Sequence, residues 1–486
     1  MAEYILESNG EKWEIICGLE IHCQIISKSK IFSGASTEFG VDANENVSFI
    51  DVAMPGMLPS LNMECVKQAV KTGLGLNAKI NKFSQFSRKN YFYADLPQGY
   101  QITQEKHPII GEGKVTIDLS DGSTKEIGIE RIHIEQDTGK SIHDIDPKKS
   151  FIDYNRAGVG LMEIVTKPDF RSPDEAGAFL RKLRSIVRYL GTCDGNMDEG
   201  SMRCDASVSI RKVGETGFRP RCEVKNVNSV KFAMQAIESE AKRQLEIYER
   251  GETFEQESRQ FDPSTCSTKF MRKKEYAHEY RQFPEPDLPP LVLTDEFIEE
   301  IKSQLVELPD EKKKRYISQM GLTAYDAMVI CENKEVAEFF EEASLGCDAK
   351  KVANWLIGDF FAMLNKKNLD IKNSPVSAQN LGKLVNLISK DVISGKIAKD
   401  VFEIMAETSQ DPEIIVEEKG LKQVTDTSQI EAVVNELIAN NPDNVANYKA
   451  GKTNLFGWFV GQVMKQTQGK ANPGVVNKLL KDKLDN

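Results

Sequence analysis

The sequence predicts an α+β protein: a strand-rich N-terminal domain interrupted by helices, then an all-α helical domain and a small helical tail domain. Three observations carry this. "ICGLEIHCQI" (16–25) and several later segments alternate apolar and polar residues with a period of two, the pattern of half-buried strands. "FPEPDLPPL" (283–291) holds four prolines, which neither a helix interior nor a central strand accepts. Beyond it, apolar residues recur at helical spacing. A chain of 486 residues suggests about three domains; the expected divisions are 1–292, 293–408 and 409–486.

In chain order, the first strand puts Cys17, Leu19, Ile21, Cys23 and Ile25 on one face and Gly18, Glu20, His22 and Gln24 on the other. Periodicity alone leaves open whether the second face meets water or lines a site. "VTIDLSDGSTKEIGIERIHIE" (115–135) reads as a hairpin around Ser-Asp-Gly. "GLMEIVTKP" (160–168), "MRCDASVSIR" (202–211) and "RCEVKN" (221–226) read as further strands. In "RSPDEAGAFLRKLRSIVRYLG" Ser172 caps a helix, Pro173 takes its first position, Glu175 completes a capping box and Gly191 ends it. A second helix is expected from Val230 to Arg250. "DEFIEEIKSQLVELPDEKKKRYISQMG", "KVANWLIGDFFAMLNKK" and "AQNLGKLVNLISKDVISGKIAKDVFEIMAE" continue the helical spacing.

Composition narrows the class. Hydrophobic content of 40% and charged content of 28% suit a soluble globular protein. Nine cysteines, an odd number without C-x-x-C, argue against a disulfide framework and for a reducing cytosol. Cys17 and Cys23 share the apolar face of one strand and read as buried thiols. The start lacks a signal-peptide pattern, and no apolar run approaches the ~18 residues of a membrane span. Although the net charge is −11, residues 445–486 hold seven Lys against two Asp. Lys449, Lys452, Lys465, Lys470 and Lys478, beside the aromatics of "NLFGWFVGQVMKQ", suit a phosphate-binding surface, or simply the solvated face of a helical tail.

Neither G-x-S-x-G nor H-E-x-x-H occurs, and "DTGKS" (137–141) fails as a P-loop because Ile134 stands where that motif needs Gly. Its turn and Lys140 still suit a phosphate. The odd residues are carboxylates. Glu163 lies in a strand apolar on both faces, where an unpaired carboxylate is costly to bury. If Glu20, His22, Glu135, Glu163 and Glu223 converge, they form a hard-donor site for Mg²⁺. Otherwise they are separate solvent-facing residues, with Glu163 paired to an Arg.

Six ordered segments, "GLEIHCQIISKSKIFS", "SRKNYFYADLPQGYQITQ", "IERIHIEQDTGKS", "NRAGVGLMEIVTKPDFRSPDEA", "MDEGSMRCDASVSIR" and "CEVKNVNSVKF", resemble the B subunits of the aspartyl/glutamyl-tRNA(Asn/Gln) amidotransferases. "WLIGDFF", "GKIAKDVFEIM" and "GKANPGVVNKLL" resemble their C-terminal part. The resemblance implies an N-terminal cradle with a kinase-like site, a helical domain and a tRNA-binding tail. It implies an ATP- and Mg²⁺-dependent ligase that works in the cytoplasm as a heterotrimer, with an amidase (the A subunit) plus a small C subunit. There the B subunit phosphorylates the side-chain carboxylate of Glu-tRNA(Gln) or Asp-tRNA(Asn). By motif match, Glu20, His22, Glu135 and Glu163 form the metal group, with Glu223 and Asp205 as additions. Charge and position nominate Lys140, Arg156 and Arg203 for phosphate contacts; Glu163, Lys140 and Arg203 are the catalytic candidates. "RKNYFY" is a candidate pocket for the aminoacylated end, or an aromatic core loop. The chain departs from the family pattern at Ser33, Ala35, Ser48 and Asp51, where many members carry cysteines, so no zinc is expected. It departs again at Gln136, where members carry a second Glu. The alternative function is a non-catalytic tRNA-binding scaffold of the same complex.

Overall fold

A computed structural model describes residues 4–273, 277–423, 427–467 and 471–485. The chain forms two compact units, Met1–Leu308 and Pro309–Asn486.

In the first unit the alternating segments become long strands. They are β1 (Ile5–Ser8), β2 (Glu11–Gln24), β3 (Phe83–Ser84), β4 (Ser87–Asn90), β5 (Tyr100–Thr103), β6 (Gly113–Asp118), β7 (Thr124–Gln136), β8 (Lys140–Ile142), β9 (Phe151–Asp153), β10 (Gly160–Thr166), β11 (Met202–Lys212), β12 (Cys222–Val227), β13 (Glu257–Asp262), β14 (Ser267–Lys273), β15 (Phe283–Pro284) and β16 (Leu291–Val292). Four helices accompany them: α1 (Met63–Gly75), α2 (Pro173–Leu190), α3 (Val230–Glu249) and α4 (Asp295–Ser303).

Among the described residues the main sheet runs β14-β13-β12-β11-β2-β10-β7-β6, with β1 pairing on β2. Its neighbours are antiparallel except β12 and β13, which are parallel and joined through the α3 crossover. Helices α1, α2 and α3 pack on the apolar face. There Cys17, Leu19, Ile21 and Cys23 of β2 meet Met162 and Ile164 of β10 and the fully buried Phe179, Leu180 and Leu183 of α2. The period-two reading of β2 therefore holds, and its Glu20/His22 face turns away from this core.

Helix α2 starts at Ser172, whose hydroxyl accepts from the Glu175 N–H at 3.2 Å, and ends at Gly191 in the left-handed region, φ 69°. The expected capping box is displaced by one residue. Glu175 accepts from the Arg171 N–H at 2.7 Å and from Lys125 at 2.8 Å, not from Ser172. The proline segment enters only two-residue edge pairings, β15 with β4 and β16 with β3. Helix α4 packs on α1 and so belongs to the first unit.

The second unit is helical: α5 (Pro309–Met320), α6 (Ala324–Cys331), α7 (Lys334–Ala343), α8 (Ala349–Trp355), α9 (Phe361–Lys367), α10 (Ala378–Ser389), α11 (Gly395–Thr408), α12 (Pro412–Glu418), α13 (Thr427–Ala439), α14 (Pro442–Lys449), α15 (Leu455–Gln466) and α16 (Pro473–Asp485). A π-helical turn, Leu356–Phe360, links α8 to α9. Ile430, Val434 and Leu437 of α13 form a separate small core with Phe459 and Val463 of α15 and Val476 and Leu480 of α16. Lys449, Lys452, Lys465 and Lys478 are exposed around it; Lys470 lies outside the described residues. The tail aromatics divide: Phe459 is buried in that core, whereas Trp458 stays partly exposed. No described helix is long and apolar enough to cross a membrane.

Candidate active site

Strand register assembles the site. Glu163 on β10 stands opposite His22 on β2 and opposite His133 on β7. Asp205 on β11 stands opposite Glu20, and Arg203 opposite His22. Glu223 on β12 stands opposite Ser207 of β11. Because side chains repeat every two residues, these groups rise from one face of five adjacent strands.

At its centre the Glu163 carboxylate lies 3.5 Å from His22 Nε2 and 3.3 Å from His133 Nε2. Glu135 Oε2 lies 3.3 Å from the same His133 nitrogen and accepts from the Thr103 hydroxyl at 2.7 Å. Donor atoms fall into three overlapping groups, each within 4.8 Å: Glu20, His22 and Glu163; His133, Glu135 and Glu163; Glu20, Asp205 and Glu223. Glu163 and Glu135 are 8% and 3% exposed.

Burial would lower both imidazoles. The hydrogen bond and charge of Glu163, with Glu20 beside them, instead lift His22 to about 9. Glu163 and Glu135 likewise lift His133 to about 10. Burial would raise Glu163, but the two imidazoles hold it well below the carboxylate range. Burial and the Glu163 charge push Glu20 up to about 7. Without a bound cation, this face therefore keeps protons where a metal would otherwise neutralise it.

The donor set fits a hard divalent cation: carboxylate oxygens predominate, and imidazole nitrogens extend the range to Mn²⁺. Among the described residues His133 Nδ1 is buried without a hydrogen-bond partner, as an incomplete polar site requires. Beside Glu20 opens a cleft of about 550 Å³, whose lining includes Gly18, Arg131, Thr166, Ser207 and Phe218. That volume lies in the range of small-ligand sites.

Residues 15–299 match the GatB/GatE catalytic domain, and residues 338–484 match the GatB domain. The chain belongs to the GatB/GatE family. Over 481 residues, 99% of each chain, it is 60% identical to the aspartyl/glutamyl-tRNA(Asn/Gln) amidotransferase B subunit of Rhodospirillum rubrum. It is equally 60% identical to the B subunit of Paramagnetospirillum magneticum and 59% identical to that of Granulibacter bethesdensis, again over 99% of each chain.

Among the residues nominated from sequence, this GatB/GatE chain brings Glu20, His22, Glu135, Glu163, Asp205 and Glu223 onto one face. Arg203 borders them, but its guanidinium grips both oxygens of Asp137 at 3.0 and 2.9 Å. Arg156 donates to the carbonyls of Thr138 and Gly139 at 2.9 and 2.7 Å and lies 3.7 Å from Asp137. Burial notwithstanding, Arg203 and Arg156 hold Asp137 below its usual range. Both arginines thus fasten the loop after β7. The amides of that turn are also engaged, Thr138 N–H on Asp137 and Gly139 N–H on the Asp95 carbonyl. Lys140 is exposed on the separate β8–β9 ribbon.

Three residues on or beside this face were not nominated for the metal or phosphate site, although "RKNYFY", nominated for the aminoacylated end, contains Lys89. His133 shares a strand face with Glu135 two residues on, a spacing visible in the sequence. Lys225 likewise shares one with Glu223, and binds Asp205 at 2.7 Å and Glu223 at 3.4 Å. Lys89 carries no such signal, because it comes from another sheet. At the departed cysteine positions, Asp51 accepts from the Ser33 hydroxyl at 3.0 Å and the Ser48 N–H at 2.8 Å. It also pairs with the fully buried Lys30 ammonium at 3.1 Å.

A pH dependence follows from the raised groups. Below about pH 9 the His22 imidazole holds a proton that a cation must displace, and Glu20 does so below about pH 7. Mn²⁺ affinity of the intact complex therefore rises between pH 6.5 and 9, with release of about one proton or more. Calorimetry in two buffers of different ionisation enthalpy measures that release; a pH-independent affinity is the contrary result.

Proposed function

We propose that this chain is the aminoacyl-tRNA-activating subunit of a glutamine-dependent amidotransferase. The γ-phosphoryl group of ATP passes to the side-chain carboxylate of Glu or Asp esterified to tRNA. The bond from phosphorus to the ADP oxygen breaks and a bond to the carboxylate oxygen forms. Ammonia then attacks the acyl phosphate, a C–N bond forms, phosphate leaves, and nitrogen gives up a proton to phosphate or water.

The observation that carries this reading is Glu163, buried between two imidazoles at the centre of a carboxylate band. A scaffold has no use for so costly an arrangement. Glu20, His22, Glu135 and Glu163 would hold Mg²⁺, with Asp205 and Glu223 on its flank. Such an ion would supply positive charge to offset the charge that builds up in phosphoryl transfer. The cleft beside Glu20 suits the nucleoside, with Arg131 at its wall. Arg203, which borders the band and engages Asp137 through one nitrogen, is the proposed phosphate contact; Arg156 is committed to the turn after β7 and Lys140 lies on a separate ribbon, so neither is assigned that role.

The same reading assigns residues 1–292, together with α4, to the cradle, the helices from there to 408 to a helical domain and 409–486 to the tail. It assigns tRNA binding to Lys449, Lys452, Lys465, Lys470 and Lys478. The partners are the amidase (A) and small (C) subunits, and the reaction runs in the cytoplasm. The relatives, each named as a B subunit, support a multi-subunit enzyme.

The test uses the intact complex without glutamine, given [γ-³²P]ATP and Glu-tRNA. The expected result is a label on the aminoacyl group that requires Mg²⁺ and an aminoacylated tRNA, and that hydroxylamine releases as phosphate while the side chain becomes a hydroxamate. ADP formation that is equal with uncharged tRNA, and no trapped acyl phosphate, favours the scaffold.

A further inference from the structure

Lys89 lies on β4, in the small sheet β15-β4-β5 rather than the main one. Its ammonium stands 5.0 Å from the centroid of the Tyr280 ring and 5.6 Å from that of Tyr91, within cation–π range. Tyr91 packs edge-on against Tyr280 and Tyr93, which fixes the cage. Lys89 stands opposite Gln101 of β5, whose amide donates to the Gln136 carbonyl at 2.8 Å, and Thr103, two residues on, donates to Glu135 at 2.7 Å, so this face of the small sheet meets the carboxylate band; against the effect of burial, the charges of Glu135, Glu163 and Glu20 raise Lys89. Yet among the described residues no oxygen lies within hydrogen-bonding or ion-pairing distance of its ammonium.

The neighbouring cations differ. Lys225 binds Asp205, Arg203 binds Asp137, and Arg88, the residue before Lys89, binds Glu285 at 2.7 Å. An ammonium has three donors, and aromatic faces stabilise its charge without accepting a strong hydrogen bond. Lys89 therefore presents donors to an anion that the described residues do not provide.

We propose that Lys89 is a catalytic residue whose ammonium binds the side-chain carboxylate of the aminoacyl group, and the acyl phosphate made from it. This rests on the phosphoryl-transfer reading above. A carboxylate that approaches other carboxylates is repelled by their charge, so it needs a fixed cation of its own. The aminoacyl end reaches Lys89 from the side of the same chain segment. Just beyond β4, Phe92 and Tyr93 are 77% and 55% exposed, a stacking surface for the terminal bases of a tRNA. The γ-phosphoryl group comes instead from the cleft beside Glu20. Phosphoryl transfer then moves the bond from ADP to an oxygen that Lys89 already holds. The amide product carries no negative charge, so Lys89 also favours Glu-tRNA over Gln-tRNA.

The experiment compares Lys89→Met and Lys89→Arg with wild type in the intact three-subunit complex. For Lys89→Met, single-turnover transfer from [γ-³²P]ATP to Glu-tRNA falls by about 10²–10³-fold. The preference for Glu-tRNA over Gln-tRNA in competition binding disappears, while affinity for uncharged tRNA stays within twofold and affinity for Mn²⁺ does not fall. Lys89→Arg restores part of the preference. Transfer by Lys89→Met within threefold of wild type overturns the proposal. So does a parallel loss of Mn²⁺ affinity, which marks a merely structural role. A wild-type complex that makes no acyl phosphate overturns the functional reading itself, and is recognised by the wild-type arm alone.

Discussion

Glu163→Gln assembles with its partner subunits and binds tRNA, but phosphorylates Glu-tRNA at least about 10²–10³-fold more slowly than wild type. Gln has the size of Glu and lacks its charge. The substitution removes the one carboxylate shared by His22 and His133, at 3.5 and 3.3 Å, and so divides the donor set at its centre. Removing one partner of a buried ion pair ordinarily costs about 3–5 kcal/mol of stability. Here the cost is smaller, because the imidazoles are protonated mainly on account of Glu163 and Glu135 and can shed those protons. Loss of transfer with retained complex and tRNA affinity is the checkable pattern. Normal turnover by Glu163→Gln removes this residue from the site.

Replacing Lys449, Lys452, Lys465 and Lys478 together by Ala lowers tRNA affinity and flattens its salt dependence. Each lost phosphate contact takes about 0.7–0.9 from the slope of log K against log salt, so four take about 3. All four side chains are exposed, so the small core of α13, α15 and α16 survives the change. Cutting the chain at Val445 is a poorer test. It removes Phe459, Val463, Val476 and Leu480 and strands the apolar face of α13 that they cover. Filter retention across a salt series measures the slope; an unchanged slope assigns these lysines to the solvated surface of the tail.

Much of the fold was legible because it is local. The face of Glu20 and His22 follows from a period of two, and α2 from its cap, its apolar stripe and Gly191. What escaped depends on which strands become neighbours. Nothing local in "RCEVKN" says that β12 pairs parallel with β13 through α3, nor that Lys225 reaches Asp205 on the next strand. Arg203 and Arg156 read as free cations in the sequence, yet tertiary contacts commit both to Asp137 and its turn. Glu175 took a backbone partner one residue earlier than the capping pattern implies, because Lys125 of β7 shares its carboxylate. His133 was visible on the right face and lacked only the knowledge that Glu163 stands opposite. Lys89 was legible only as part of "RKNYFY", a candidate pocket for the aminoacylated end; its place beside the carboxylates was not, since it comes from a second sheet.

The central claim is that this sheet face holds the cation. Anomalous diffraction from crystals of the complex with Mn²⁺ and a non-hydrolysable ATP analogue tests it most directly. The expected result is an anomalous peak with oxygens of Glu163 and at least one of Glu20 and Glu135 at about 2.1 Å, a distance typical of a small octahedral dication. A peak bound only by phosphate and water, with these carboxylates still paired to His22 and His133, contradicts it.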